Sequence, residues 1–252
     1  MRSQLKTRPE RTSLNVPSQF FDYFYREIQP HSRIAPAGTE VCHQGTENAG
    51  GTWLLHGWLG VTKLFEDGRR ILIDVALPID FVSALKAGDS TAHYGVTALT
   101  GAIIAPLRNT SPGKQVAATD GLSDFIRELQ DNAAIRQAER MIRIGWGTAH
   151  ERIAHTLIEL YLRLGGDPEG TDRCAVDLPI TQRDIGNLTG LTAIHVCRTI
   201  KSLQEQGILT LRKHRLTIND LRALAAIGET DVDYLQRHIL PPHQRRETSH
   251  AA

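Results

Sequence analysis

Between residues 39 and 104 the apolar positions come in short runs cut by turn residues, the grammar of strands and hairpins rather than of helices. The run 39–43 stops at Gln44-Gly45, the run 53–55 stops before Gly57, and the run 59–65 stops at Glu66-Asp67-Gly68. An Asp-Gly pair readily takes the positive φ values of a tight hairpin, so Asp67-Gly68 is the firmest turn signal in the chain. A second set of runs, 70–77 and 96–104, is rich in β-branched residues and ends at Pro78 and Pro106. Short strands at this spacing predict a β-barrel or sandwich of roughly 90 residues. Ahead of them the aromatic stretch FFDYFYREIQ, 20–29, predicts a short helix, with Pro30 and Pro36 forcing extended chain beyond it.

After residues 106–121 the apolar period changes from two to about 3.6. Leu122, Phe125, Ile126, Leu129 and Ala133, then Ala138, Met141 and Ile142, share one face of a helix about six turns long. Such a stripe can pack on its own barrel or on the same helix of a second copy; its length beyond one small barrel's width favours the second copy, with Leu122, Ile126, Leu129, Ala133 and Met141 as the dimer positions. Gly145-Trp146-Gly147 predicts a break and a hinge, followed by a helix over 150–164 that closes at Gly165-Gly166.

Thr181 and Asp184 have the spacing of an N-cap and its reciprocal acidic partner, which predicts a helix through Ile185 and Leu188 to Gly190. Thr192 caps a second helix that turns Val196, Ile200 and Leu203 inward and ends at Gly207. Two helices joined by a glycine-containing turn make a helix-turn-helix. The segments 208–211 and 216–218 flank Arg212-Lys213-His214-Arg215 and predict a two-stranded wing with a basic tip. A short helix capped near Asp220 runs to Gly228, and 233–235 packs back.

Charge sharpens this picture. The whole chain carries a formal +1, yet residues 181–216 hold six Lys or Arg against Asp184 and Glu205, a local +4, which leaves −3 for everything else. A basic module on a mildly acidic body points to a polyanion as its partner.

The segment LPITQRDIGNLTGLTAIHVCRTIKSLQEQGIL, 178–209, resembles the helix-turn-helix of the Crp/Fnr family of bacterial transcription regulators. Upstream, AGTEVCHQG at 37–45, EDGRRIL at 66–72 and LPIDF at 77–81 resemble that family's cyclic-nucleotide-binding-type roll. The resemblance implies an α+β architecture: a flexible N-terminus over 1–17, a β-roll sensor-type domain over 18–121, a dimerisation helix over 122–145, a winged helix-turn-helix over 146–240 and a disordered tail over 241–252. It also implies a cytoplasmic homodimer on double-stranded DNA, with RNA polymerase as a further partner, whose recognition helices enter successive major grooves of a pseudo-palindromic site.

On that resemblance Arg198 stands where the family places a base-reading arginine, whose planar fork suits guanine O6 and N7. Ala193 and Ile194 stand where many members carry polar or charged readers, a departure that suits thymine methyl groups instead. Gln182, Thr192, His195 and Lys201 fall at positions resembling phosphate contacts. Cys197 lies beside Arg198, where nearby positive charge would favour a redox-sensitive thiolate, although a small buried residue is the plainer expectation.

Other functions are not supported. Cys42, Cys174 and Cys197 lack the number and spacing of an iron–sulfur or disulfide framework. The family's Gly-Glu pair and phosphate-binding arginine are missing from 78–95, so cyclic AMP is not expected. Cys42 and His43, adjacent on a strand, point to opposite faces and cannot readily share a haem or metal with His93, so no cofactor and no metal are expected. A cupin-like metal barrel would need a ligand cluster that His43, His56 and His93 do not form by spacing, and no common catalytic motif occurs, so an enzyme is not expected. A module that docks proteins rather than DNA is the other alternative, separable by the salt dependence of duplex binding. The basic residues of 1–15 precede no apolar run, and no run reaches membrane-spanning length, so neither secretion nor a membrane partner is expected.

Overall fold

The computed structural model describes residues 20, 23–47, 50–83, 91–106, 121–170 and 175–240. The expected N-terminal arm at 1–17, the tail at 241–252 and Cys174 lie outside the described residues. The chain falls into two compact units, Met1–Gln130 and Asp131–Ala252. No helix among the described residues is long and apolar enough to cross a membrane.

The first unit holds β1 (Arg33–Ala35), β2 (Glu40–Cys42), β3 (Thr52–His56), β4 (Leu59–Leu64), β5 (Arg70–Ala76), β6 (Phe81–Val82), β7 (Gly95–Ala98) and β8 (Ala102–Pro106). They form two four-stranded antiparallel sheets, ordered β1-β8-β3-β6 and β2-β7-β4-β5, the interleaved arrangement of a roll. Asp67-Gly68 makes the β4–β5 turn: Gly68 takes φ +82°, the Asp67 carboxylate accepts from Arg69 N at 3.0 Å, and Leu64 faces Arg70 across it. The single run expected over 96–104 is two strands, because a turn at Leu99–Gly101 separates β7 from β8. That turn lies so close to Gly57, itself at φ +83°, that a Cβ there would strike the Gly101 carbonyl oxygen.

Alternation along β3 and β8 feeds two cores at once. Leu54, Ala102 and Ile104 join Leu59, Val96 and several alanines in one cluster, while Trp53, Leu55, Ile103 and Ala105 turn to the other. The second cluster is aromatic. Phe24 meets the Trp53 ring edge-on at 4.8 Å, Phe81 lies 4.9 Å from it, and Phe20 packs on Phe125 at 5.0 Å. The helical turn Phe24–Ile28, of π type, and the start of α1 (Leu122–Trp146) close this side. Ile79 belongs to the same core although its φ is +75°, a conformation that costs a β-branched residue about 1–3 kcal/mol. The turn is bracketed by hydrogen bonds from Ile79 N to Leu54 O at 2.7 Å and from Leu54 N to Asp80 O at 3.1 Å.

The stripe read along α1 does not serve one partner. Leu122 and Leu129 are buried in the first unit's own core and Ile126 packs against it, so these positions are revised from partner-facing to core. Ala133 is half-buried, whereas Met141 is 69% exposed, beside Ile142, Ile144 and a Trp146 that is 92% exposed. The helix runs through Gly145 to Trp146, and the expected break falls at Gly147-Thr148, before the next helix.

In the second unit the same face of α1 stays buried but turns polar. Asn132, Arg136 and Arg140 recur every four residues and all are buried. Asn132 donates to Leu240 O at 3.2 Å, and Arg140 donates to both oxygens of Glu159 at 2.8 and 2.6 Å. Arg136 lies 3.8 Å from the same carboxylate, and Arg163 lies 3.2 Å from it. Glu159 and Arg163 come from α2 (Ala149–Arg163), which opens on a capping box between Thr148 and Glu151. Burial alone would push the Glu159 carboxyl up, but Arg140, Arg163 and Arg136 outweigh it and hold it below its usual range. His155, one turn earlier, is lowered to about 4 by burial and then by the charge of Arg143.

Candidate nucleic-acid interface

The basic module is built on α3 (Gln182–Thr189) and α4 (Ala193–Glu205). Thr181 N donates to the Asp184 carboxylate at 2.8 Å while Asp184 N donates to the Thr181 hydroxyl at 3.2 Å, the reciprocal cap read from the sequence. Gly190 ends α3 at φ +67°, and Thr192 caps α4 by accepting from His195 N at 3.3 Å. The apolar faces of both helices, with Ile185, Leu188, Val196, Ile200 and Leu203, are buried. Sequence reading passed over Gly186, whose Cβ would come within 2.5 Å of the Leu191 carbonyl oxygen. Only a glycine lets the second helix return so tightly, and its place inside a capped helix is the signal that could have found it.

What α4 leaves outside is chemically mixed. Ala193, Ile194, His195, Cys197, Arg198 and Lys201 are all exposed, Ile194 to 65%. Ile194, Cys197 and Arg198 stand at i, i+3 and i+4, so they share one strip of the helix surface. Among the described residues the Arg198 guanidinium makes no hydrogen bond or ion pair, leaving its donors available. The His195 ring nitrogen lies 3.2 Å from the Thr192 hydroxyl, and Lys201 lies 3.6 Å from Glu205 in an exposed pair of little energetic weight. Gln182 is exposed in the first turn of α3 next to Arg183. The expectation that Cys197 is a small buried residue is corrected: it is an exposed free thiol on the strip.

The wing has three strands, not two. Besides β10 (Leu209–Arg212) and β11 (Arg215–Ile218), β9 (Ala175–Asp177) pairs antiparallel with β11, giving the order β10-β11-β9. The module is completed by α5 (Leu221–Ile227), capped by Asp220, and α6 (Val232–Ile239), capped by Asp231.

The described residues of the first unit show no comparable convergence. Cys42 is half-buried, its thiol pushed up by burial and by Glu40, while the exposed His43 turns its Nδ1 to Glu40 at 3.0 Å. His56 and His93 are exposed, and among the described residues no group of three or more His, Cys, Asp or Glu side chains is placed to hold a metal. Arg26, Arg33, Arg69, Arg70 and Arg127 are exposed as well, so none of these lines an interior anion site.

Residues 151–227 match the family model of the Crp-like helix-turn-helix domain. The chain is 27% identical over 210 residues to the transcriptional activator protein FnrL of Cereibacter sphaeroides, which takes in 82% of this chain and 81% of FnrL. It is 27% identical over 176 residues to the nitrogen fixation regulation protein FixK of Bradyrhizobium diazoefficiens, covering 69% of this chain and 73% of FixK. The solved structure of FixK2 from Bradyrhizobium japonicum superposes with a TM-score of 0.67 at 23% identity, over 78% of this chain and 96% of that one, and so shares the fold. A capped helix-turn-helix with an exposed basic strip, a three-stranded wing and a β-roll in the same chain agree with these likenesses, and the chain is a DNA-binding transcription regulator with a Crp-like helix-turn-helix domain.

Proposed function

We propose that the protein regulates transcription as a homodimer in the cytoplasm, reading a pseudo-palindromic duplex whose half-sites lie about 34–36 Å apart. The observation that carries this reading is the exposed strip of α4, where an unengaged Arg198 stands beside Ile194 on a helix presented by its own caps. Arg198 reads a guanine, and Ala193 and Ile194 lie against thymine methyl groups. Gln182, Thr192, His195 and Lys201 hold phosphates and set the register.

The second copy covers Met141, Ile142, Ile144 and Trp146, apolar side chains that the chain leaves exposed at the end of α1. Exposed arginines throughout the described part of the roll support action without cyclic AMP, and neither an iron–sulfur cluster nor haem is part of this reading. Bound at a promoter, the dimer acts through RNA polymerase. Cys197 gives the reading strip a thiol whose oxidation would disturb base contacts.

Selection of random-sequence duplexes by the purified protein, without added ligand and under reducing and oxidising conditions, tests the proposal. Enrichment of an inverted repeat with half-sites one helical turn apart is expected under reducing conditions, with loss on oxidation. No enrichment in either condition overturns ligand-independent DNA reading.

A further inference from the structure

Beyond Ile227 the chain closes the end of α5 and, in the same few residues, takes hold of α1. The segment from Gly228 to Leu240 follows the residues that match the family model, and the α1 residues it meets precede them. Gly228 is the C-cap of α5, and its carbonyl oxygen accepts from Arg143 Nε at 3.3 Å, while the Glu229 carbonyl accepts from Arg143 Nη2 at 3.0 Å. A guanidinium placed there serves the last unpaired carbonyls of the helix and the negative end of its dipole. Glu139, one turn back on α1, aims it: Arg143 Nη1 donates to the Glu139 carboxylate at 2.7 Å and to its carbonyl at 3.1 Å.

The second hold is the hydrogen bond from Asn132 to Leu240 O. Asn132 and Arg143 are separated by about 16 Å of helix axis, and two holds that far apart fix the direction of an axis as well as its distance. Between them Arg136 and Arg140 meet Glu159 of α2. The break between α1 and α2 is braced too: Gly147 N donates to Arg143 O at 2.7 Å, and Arg152 Nε donates to Gly147 O at 2.9 Å.

The short helix α5 carries this hold to the reading helix. Just ahead of it Asn219 N and Asp220 N donate to Ile208 O at 2.8 and 3.1 Å, and Ile208 N donates to Leu203 O of α4 at 3.1 Å. With its seven residues α5 is a strut of about 10 Å, tied at one end to the C-terminus of α4 and at the other to Arg143. The loop at the Arg143 end has no slack. Thr230 Oγ1 donates to Gly228 O at 2.9 Å and lies 3.0 Å from His155 Nδ1, and a Cβ on Gly228 would come within 3.0 Å of His155 N.

We propose that Gly228 to Leu240 is a clasp that holds the second half of α1 and the helix-turn-helix as one body, with Arg143 as a positioning residue that sets the direction of α4 and so the half-site spacing the dimer accepts; this rests on the dimeric DNA reading proposed above. With that direction already set in the free protein, a duplex meets one preformed spacing and little ordering cost is left for binding.

The test compares spacings. An inverted repeat enriched by the wild type is remade with one base pair added to or removed from its centre, and each duplex is titrated with the wild type, Arg143→Ala, Arg143→Lys and Ile79→Ala at a temperature where melting shows all four folded. The wild type is expected to bind the altered spacings about tenfold more weakly than the original. Arg143→Ala is expected to bind the original about fivefold more weakly, yet to lose less than about twofold more on the altered spacings, because a released α4 is ordered by the DNA but can follow its half-sites. Arg143→Lys, which keeps a charge for the same carbonyls, restores most of the preference. Ile79→Ala weakens the β-rich unit and keeps the wild-type preference, which separates positioning from stability. Should Arg143→Ala not fold, Glu139→Gln, which leaves Arg143 in place without its guide, is read in the same way. A folded clasp variant that keeps the wild-type spacing preference overturns the clasp and leaves DNA reading intact. A wild type that enriches no inverted repeat overturns dimeric reading, and the clasp with it.

Discussion

Both units contain a turn made from residues that resist it, and they resolve the conflict in opposite directions. In the β-rich unit Ile79 takes φ +75° with its side chain buried among Trp53, Phe24 and Phe125, so the strain is offset by an apolar contact within the chain. In the winged unit Lys213 and His214 take φ +50° and +60° with their side chains in solvent. Strain turned inward is answered by packing and belongs to folding; strain turned outward finds no such packing. The same contrast runs through the apolar residues. Trp53 is wholly buried, while Trp146 and Ile194 are exposed on helices.

Substitutions can break this contrast or sharpen it. The largest effect is expected from Glu159→Gln, which leaves Arg136, Arg140 and Arg163 buried around a neutral amide and should cost about 3–5 kcal/mol in a denaturant titration. Next comes Ile79→Ala, expected to cost about 2–5 kcal/mol, towards the lower end because the smaller side chain eases the turn. Its DNA affinity at a temperature where the variant stays folded should equal that of the wild type, and a matching loss of affinity would blur the two units.

Acid should act on the winged unit too. Below its ordinary value of 6.5 His155 takes up a proton when unfolded but resists doing so when folded until about pH 4, so stability falls as pH drops through that window. Glu159, held below its usual range, adds a loss at still lower pH as its carboxyl protonates. Melting temperature measured against pH checks both, and a flat profile between 6.5 and 4 would remove the His155 contribution.

Arg198→Ala should leave the melting temperature unchanged while costing about 1–3 kcal/mol of binding and relaxing preference at one base pair per half-site, read by competition between duplexes. The smallest effect belongs to Lys201→Ala, which should weaken all duplexes alike and flatten the salt dependence by about one unit. If Arg198→Ala and Lys201→Ala act identically, reader and positioner have been confused.

Much of the architecture was legible because its signals are local. Asp67-Gly68 announces its hairpin, and Thr181 with Asp184 announces its helix. Signals that depend on distant neighbours were not legible. The periodicity of α1 marks Leu122, Leu129 and Met141 alike, yet only the fold shows that the first two are covered by the roll and the third is not. Asn132, Arg136 and Arg140 look like a solvated face until Leu240 and Glu159 are found against them. β9 escaped notice because three residues have no readable period, and β7 and β8 merged because Gly101 was read as part of a strand. At the interface the helix-turn-helix followed from caps and spacing and the residues of its exposed strip from the family resemblance, whereas the strain of the wing is written in dihedral angles alone.

The arginine cage around Glu159 also decides where this molecule can be cut. A fragment beginning at Trp146 would keep the winged helix and its caps but lose Arg136 and Arg140, stranding a buried carboxylate with Arg163 as its remaining partner in the cage. A fragment beginning at Asp131 keeps the cage whole. The piece that recombination could carry intact from one regulator to another therefore starts in mid-helix, where no loop marks the boundary.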